Sequence, residues 1–330
     1  MLFVTNRMPK QSNRSRLKRK ISFDLRDTSA SQHMFFCERK GEDDYIEIGN
    51  IEFFSQLKAL PEGTQVLFYI HGFNDTAEQK IFPRVKKLQE LLNEEARKAE
   101  GVDYDLVHVV PLIWPCEDSS VVSLLGNYWD DQRAADLSGY AFARFLGKFD
   151  LWRRSKQQQK NPCMKRVNIL AHSMGNKVLV NALKDWAENE SGGQMPQIFR
   201  NIFMIAADVE NHILEAGKAG QYIPSSARNV VAYFANDDLG MSASKVANLK
   251  NGSISRRLGM SGLGDISQVP KNVYEVDCDN FNNTCDFPKG HTYFLDCPGG
   301  KVSPVVGHMV HAIKTGRVSP SQRSVELPSP

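Results

Sequence analysis

Val167-Asn168-Ile169-Leu170-Ala171-His172-Ser173-Met174-Gly175-Asn176-Lys177 runs an apolar segment straight into a small-x-Ser-x-Gly turn. The segment from Val167 has the length and content of a buried strand. After the turn, Val178, Leu179, Ala182, Leu183 and Trp186 recur at the spacing of one helix face. Strand, tight turn and helix together are the setting in which a serine hydroxyl is raised clear of a sheet edge. Small residues are required on either side because strand and helix approach most closely there, and Ala171 and Gly175 supply them. The Met174 amide then sits at a helix N-terminus, where backbone N–H groups stabilise negative charge.

The alternation extends in both directions. Phe3–Thr5 and Phe35–Glu38 read as two early strands, expected to be antiparallel, and Ile51–Leu57 as a short helix or strand. Gln65–Ile70 is a continuous apolar run ending in the turn-rich His71-Gly72-Phe73-Asn74-Asp75. Residues 77–99 place apolar side chains at helical spacing, with Pro83 confined to the first turn. Leu106–Ile113 is the next strand, stopped by Trp114-Pro115. A loop over 117–129, a helix from about Asp130 to Phe149 and a polar connection over 153–162 lead back to Val167. Asn201–Ala206, Asn229–Ala235 and Val273–Val276 complete the strands, and Val305–Ile313 reads as a closing helix. The pattern predicts an α/β fold: a mostly parallel central sheet with helices on both faces. A single domain with loop insertions is expected over 1–315, and a disordered Ser- and Pro-rich tail over 316–330.

A net charge of +3 over 330 residues is too balanced to nominate nucleic acid as a partner. The basic run Arg14, Arg16, Lys18, Arg19, Lys20 reads as a solvated loop; contact with a membrane surface is the rival reading. The opening residues hold too short an apolar run for a secretory signal, so a cytoplasmic protein is expected. Its cysteines, Cys37, Cys116, Cys163, Cys278, Cys285 and Cys297, are then expected to be thiols. The last three surround His291 but lack the short Cys-x-x-Cys spacing of structural zinc sites, and no metal or cofactor is expected.

Ligands of open α/β sheets bind beyond the carboxyl ends of the strands. Ser173, His71-Gly72-Phe73, Asp208, Asp237, Asp238 and His291 all follow predicted strands. A serine hydroxyl needs a base, and His291 is the first choice. His308 and His311 fall on the closing helix, and His172 reads as a packing and hydrogen-bonding residue of the turn. Asp238 is the preferred acid, with Asp237 and Asp208 as alternatives. The amides of Phe73 and Met174 are the expected oxyanion donors, and His71, Gly72 and Trp114 the expected substrate rim.

These residues resemble the bacterial α/β-hydrolase family of unknown function described as esterase/lipase superfamily-like. The resemblance covers roughly residues 2–313. It runs through Phe3-Val4-Thr5-Asn6-Arg7, Ile70-His71-Gly72-Phe73-Asn74, Trp114-Pro115 and Tyr128, Asp131, Ala135, Ser138. It continues with Ala171-His172-Ser173-Met174-Gly175-Asn176, Ala206-Ala207-Asp208-Val209, Asp238 with Ser244, Arg257-Leu258-Gly259 and Gly290-His291-Thr292-Tyr293-Phe294. It implies a triad of Ser173, Asp238 and His291, because Asp238 falls on the family's Asp-x-Ala-Leu-x-x-Ser position, with Gly240 and Met241 departing from that pattern. Cys116 stands where the family often has serine. The expected activity is serine-dependent cleavage of a small carboxylic ester; thioester or amide cleavage, lipase work at a membrane surface, and a binding or scaffold role on the same fold are the alternatives. Residues 117–129 and 239–268 are the expected cap or rim segments.

Overall fold

The structure, a computed structural model, describes residues 1–24, 27–116, 124–241 and 256–330. The strands β1 (Leu2–Arg7), β2 (Arg19–Ile21), β3 (Ala30–Gly41) and β4 (Asp44–Glu47) come first. Next are β5 (Gln65–Ile70), β6 (Val107–Ile113), β7 (Val167–His172), β8 (Phe199–Ile205), β9 (Ala227–Phe234) and β10 (Val273–Asp277). The short β11 (Asp296–Cys297), β12 (Lys301–Val302) and β13 (Ser324–Glu326) follow. Eleven of these form one sheet in the order β13-β10-β9-β8-β7-β5-β6-β1-β3-β4-β2; β11 and β12 pair separately. From β13 to β1 the described pairings are parallel, and β1, β3, β4 and β2 are joined antiparallel. Thr5 pairs with Phe35, as the antiparallel reading of the two early strands requires.

The helices include α1 (Gly49–Lys58), α2 (Phe82–Glu100), α3 (Leu124–Arg153), α4 (Lys156–Lys160), α5 (Gly175–Asp185) and a C-terminal helix, Pro304–Thr315. One face of the sheet is covered by α1, α3 and α5 through Phe53, Phe54, Phe142, Phe145, Leu179 and Leu183. The other is covered by α2 and the C-terminal helix through Val85, Leu88, Leu92, Met309 and Val310. Pro83 lies in the first turn of α2, where its missing N–H costs no hydrogen bond. Helix α3 extends beyond the expected 130–149. Its Gly139 lets it approach α5 closely, since a Cβ there would stand 2.5 Å from Asn181 Cβ. A mid-helix glycine costs roughly 1 kcal/mol. Burying Phe142, Phe145 and Leu146 returns about 1.5–3 kcal/mol each, so packing wins.

A row of buried amides crosses the lower end of the sheet. Asn168 Nδ2 donates to Gln65 Oε1 (3.2 Å), Asn201 Nδ2 to Asn168 Oδ1 (2.8 Å) and Asn229 Nδ2 to Asn201 Oδ1 (2.8 Å). The row also reaches the end of the C-terminal helix: Gln65 Nε2 donates to the Ile313 carbonyl, Asn201 Nδ2 to that of Ala312 and Asn229 Nδ2 to that of Gly316. The Ile313 and Gly316 carbonyls at this helix end thereby gain a donor, and the Ala312 carbonyl, which accepts the Gly316 amide at 2.8 Å, gains a second. Asn201→Leu would strand partners on both sides, so a loss of about 2–4 kcal/mol is expected in urea unfolding. A loss under about 0.5 kcal/mol would show that the row carries little stability.

Two expectations, about the basic run and the tail, need correction. The basic run is not a loop throughout: Arg19–Ile21 forms the edge strand β2, with Arg19 Nε 2.6 Å from Glu47 Oε2. Charged side chains on an edge strand oppose pairing with another chain. The tail is not disordered. Ser324–Glu326 pairs with β10, Val318 and Leu327 are buried, and Arg323 Nε donates to the Val273 carbonyl at 3.0 Å. Its Ser and Pro content concealed this, because an open sheet edge needs only a short apolar segment. Of the expected cap segments, residues 117–123 and 242–255 with Ser244 lie outside the described residues.

Candidate active site

Ser173 leaves β7 with φ +53°, a left-handed conformation that is unfavourable for a residue with a Cβ. The turn is held on every side. The Ser173 amide donates to the Ile205 carbonyl (3.0 Å), and the Ser173 carbonyl accepts from the amides of Asn176 (3.1 Å) and Asp208 (3.2 Å). Asn176 Nδ2 donates to the same carbonyl at 3.1 Å and to that of Ala171 at 2.9 Å. Gly175 is required by space: a Cβ would meet the His71 and Ile70 carbonyl oxygens at 2.5 and 2.6 Å. Met174 is the N-cap residue of α5.

The loop after β9 carries Asp238, 1% exposed. Its Oδ2 lies 2.8 Å from His291 Nδ1, and its Oδ1 accepts the Met241 amide at 3.2 Å. The loop bearing His291 is anchored by Asp286, whose Oδ2 accepts the amides of His291 (2.9 Å) and Thr292 (2.7 Å). The Lys289 carbonyl accepts the amides of Leu239 and Gly240, joining the aspartate loop to the histidine loop. Gly240 packs against the imidazole so closely that a Cβ would stand 2.5 Å from His291 Cγ. A disulfide between Cys285 and Cys297 closes the segment around His291. The expectation of thiols fails for this pair: residues twelve apart meet because the loop doubles back between them. Cys37, Cys116, Cys163 and Cys278 are free.

Burial alone would lower the His291 pKa. The charge and hydrogen bond of Asp238, with further pull from Asp286 and Asp208, outweigh it and raise the value above 6.5. Burial raises the Asp238 carboxyl, against the pull of the imidazole and of the Met241 and Gly240 amides. Asp286 is held below the usual carboxylate value by the Thr292 and His291 amides, although burial opposes the shift.

The other candidates are engaged elsewhere. Asp237 accepts from Asn282 Nδ2 at 2.7 Å and from Asn283 Nδ2. Asp208 Oδ1 lies 3.4 Å from Arg257 Nε. His308 is bound through Nδ1 to the Tyr233 hydroxyl at 2.7 Å, and burial pushes it down to about 4. His311 lies 2.9 Å from Glu100. His172 donates from Nε2 to the His291 carbonyl at 3.1 Å, with the two rings 4.7 Å apart. Burial, followed by the neighbouring His291, keeps His172 neutral.

His71 and Trp114 are fully buried, so they lie beneath the site and not at an open rim. Their rings stack 5.0 Å apart, and Trp114 Nε1 donates to the His71 carbonyl at 2.8 Å. Burial pushes His71 down to about 4. Neutral His71 donates through Nδ1 to the Gly72 carbonyl (2.9 Å), leaving Nε2 to accept the Trp114 amide (3.1 Å). Cys116 Sγ donates to the Asp75 carbonyl at 2.9 Å, and Asp75 pairs with Arg84. The loop carrying Gly72 and Phe73 is thereby held rigid. A Cβ on Gly72 would stand 3.0 Å from Ser173 Cβ, so this loop lies directly beside the serine.

Sequence reasoning missed Asp286, the disulfide and the role of Gly259. A carboxylate five residues before His291 was the available signal for the first. Gly259 donates to the Ala207 carbonyl (2.9 Å) and accepts the Ala235 amide (3.1 Å), stitching the loops after β8 and β9 together.

A parallel sheet wound on both faces, with a left-handed serine between its central strand and a helix, is an α/β-hydrolase fold. The chain belongs to the family described as "Alpha/beta hydrolase of unknown function (DUF900)", whose model matches residues 51–297. Among solved structures it is similar to phospholipase PlaB from Legionella pneumophila in complex with thio-NAD, at 14% identity and a TM-score of 0.29, over 53% of this chain and 39% of that one. A second structure of that phospholipase matches at 14% identity and a TM-score of 0.25, over 70% and 42%. This chain thus spans about two fifths of the length of that protein. No curated protein matches the sequence. No helix among the described residues is long and apolar enough to cross a membrane.

Proposed function

We propose that the protein is a serine hydrolase that cleaves a small carboxylic ester through an acyl-enzyme at Ser173. The observation that carries this reading is the 2.8 Å contact between His291 Nδ1 and Asp238, at the same end of the sheet as the strained serine. Asp238 holds His291 in the tautomer whose Nε2 is free to accept a proton. Ser173 Oγ attacks the carbonyl as His291 takes its proton. The amides of Phe73 and Met174 receive the developing oxyanion. His291 then protonates the departing alcohol, and water activated by the same imidazole releases the acid.

A fluorophosphonate probe is expected to label the wild-type protein, and Ser173→Ala to abolish labelling while leaving the fold intact. Folded wild type that resists the probe and turns over no nitrophenyl ester would end this reading.

The base must be neutral to act. Because His291 is raised above 6.5, kcat/KM should climb with pH through an inflection above that value. Asp286→Asn removes a charge that favours the imidazolium, so the inflection should move down. An upward shift would contradict the electrostatic assignment.

A further inference from the structure

We infer that a second ligand site lies at the opposite edge of the sheet, a basic pocket for a phosphate-bearing anion. The cavity measures about 370 Å³ and is bounded by the loop before β2, by β3 and by α3. β5, β6 and β1 separate β3 from β7, so the pocket is remote from Ser173.

Arg14 from the loop before β2 meets Arg144 and Lys148 of α3 at this cavity, with His33 beside them. No carboxylate lines it among the described residues, although the chain as a whole holds 38 acidic against 41 basic residues. The segregation of charge is therefore local. The carboxylate that Arg144 acts on, Glu190, lies outside the lining. Arg144 and Lys148 lie one turn apart on α3. Arg144 Nη1 donates to the Gln32 carbonyl at 2.8 Å, which orients the guanidinium with donors to spare. Lys148 Nζ is 5.7 Å from the centroid of the buried Phe36 ring.

The three cations are solvent-exposed, so solvent screens their mutual repulsion, but together they give the concavity a net positive field. A dianion complements that field. Guanidinium and ammonium groups together suit a phosphate, which accepts several charge-assisted hydrogen bonds at once. Met34 and Phe36 add an apolar wall for whatever carries it.

Calorimetric titration of the wild-type protein with inorganic phosphate and pyrophosphate at low salt should show saturable binding that weakens with added salt. Arg144→Glu combined with Lys148→Glu should weaken it by about tenfold or more. Arg133→Glu, an exposed change on the same helix, should leave it unchanged. If the double variant does not fold, Lys148→Gln alone should still weaken binding several-fold. Flotation with phosphatidylcholine vesicles, with and without phosphatidic acid, separates the sources. Flotation that requires phosphatidic acid and is lost in the double variant identifies a lipid headgroup; titration without flotation identifies a free phosphate. Folded wild type that binds neither pyrophosphate nor acidic vesicles overturns the inference, as does equal loss in Arg133→Glu. Ester turnover is not the readout, so the outcome is independent of the proposed reaction.

Discussion

Asp238→Asn is expected to lower kcat for ester turnover by about 10⁴-fold, roughly 5 kcal/mol of barrier. The carboxylate sits 2.8 Å from Nδ1 and is held by the Met241 amide, so the asparagine can occupy the same place. Its amide nitrogen would then face Nδ1 and favour the tautomer with the proton on Nε2. That tautomer cannot accept the serine proton. Removal of the charge also withdraws the main favourable influence on the imidazolium formed during attack. Asp237→Asn provides the control. That carboxylate is bound by two asparagines, and its loss should change kcat by no more than a few fold. Comparable losses in both variants, or a larger loss at residue 237 or 208, would place the acid elsewhere.

Gly259→Ala should destabilise the protein by about 3–5 kcal/mol in denaturant unfolding. The added Cβ would stand 2.2 Å from both Ala206 C and Ala207 N. Those are backbone atoms at the end of β8, and no rotamer change moves them aside. Relief requires the segment to retreat, which breaks the hydrogen bonds from Gly259 to Ala207 and from Ala235 to Gly259. Each broken buried bond costs about 1–3 kcal/mol. The same retreat would loosen Arg257, which pairs with Asp208 beside the serine turn. Gly41→Ala, with nothing within 4 Å of the new carbon, should cost under about 1 kcal/mol. Near-equal stability of the two variants would show that the close approach at residue 259 is not required.

The residues that could be read in advance share one property: their roles follow from position on a strand or just beyond it. Val167–Ala171 is buried without interruption, and apolar apart from Asn168, because parallel strands are covered on both faces. Gly175 could be anticipated because the serine turn presses it against the end of β5. Roles that depend on distant partners were hidden. His71 and Trp114 looked like rim residues beside a strand end, yet their rings stack on each other in the interior. Asp286 resembled any other carboxylate of an Asp- and Asn-rich loop until the His291 and Thr292 amides were seen to converge on it. The Cys285–Cys297 pair was misjudged because cysteine state was inferred from an expected compartment and not from the path of the loop.

From the chain alone came the wound sheet, the serine turn and the set of strand-end candidates that includes His291 and Asp238, because apolar periodicity and strand-end position are local properties. Packing alone decided which carboxylate faces the imidazole, that the final residues complete the sheet edge, and that cations far apart in sequence share one cavity. Those outcomes depend on distances across the fold, which residue order does not encode one position at a time.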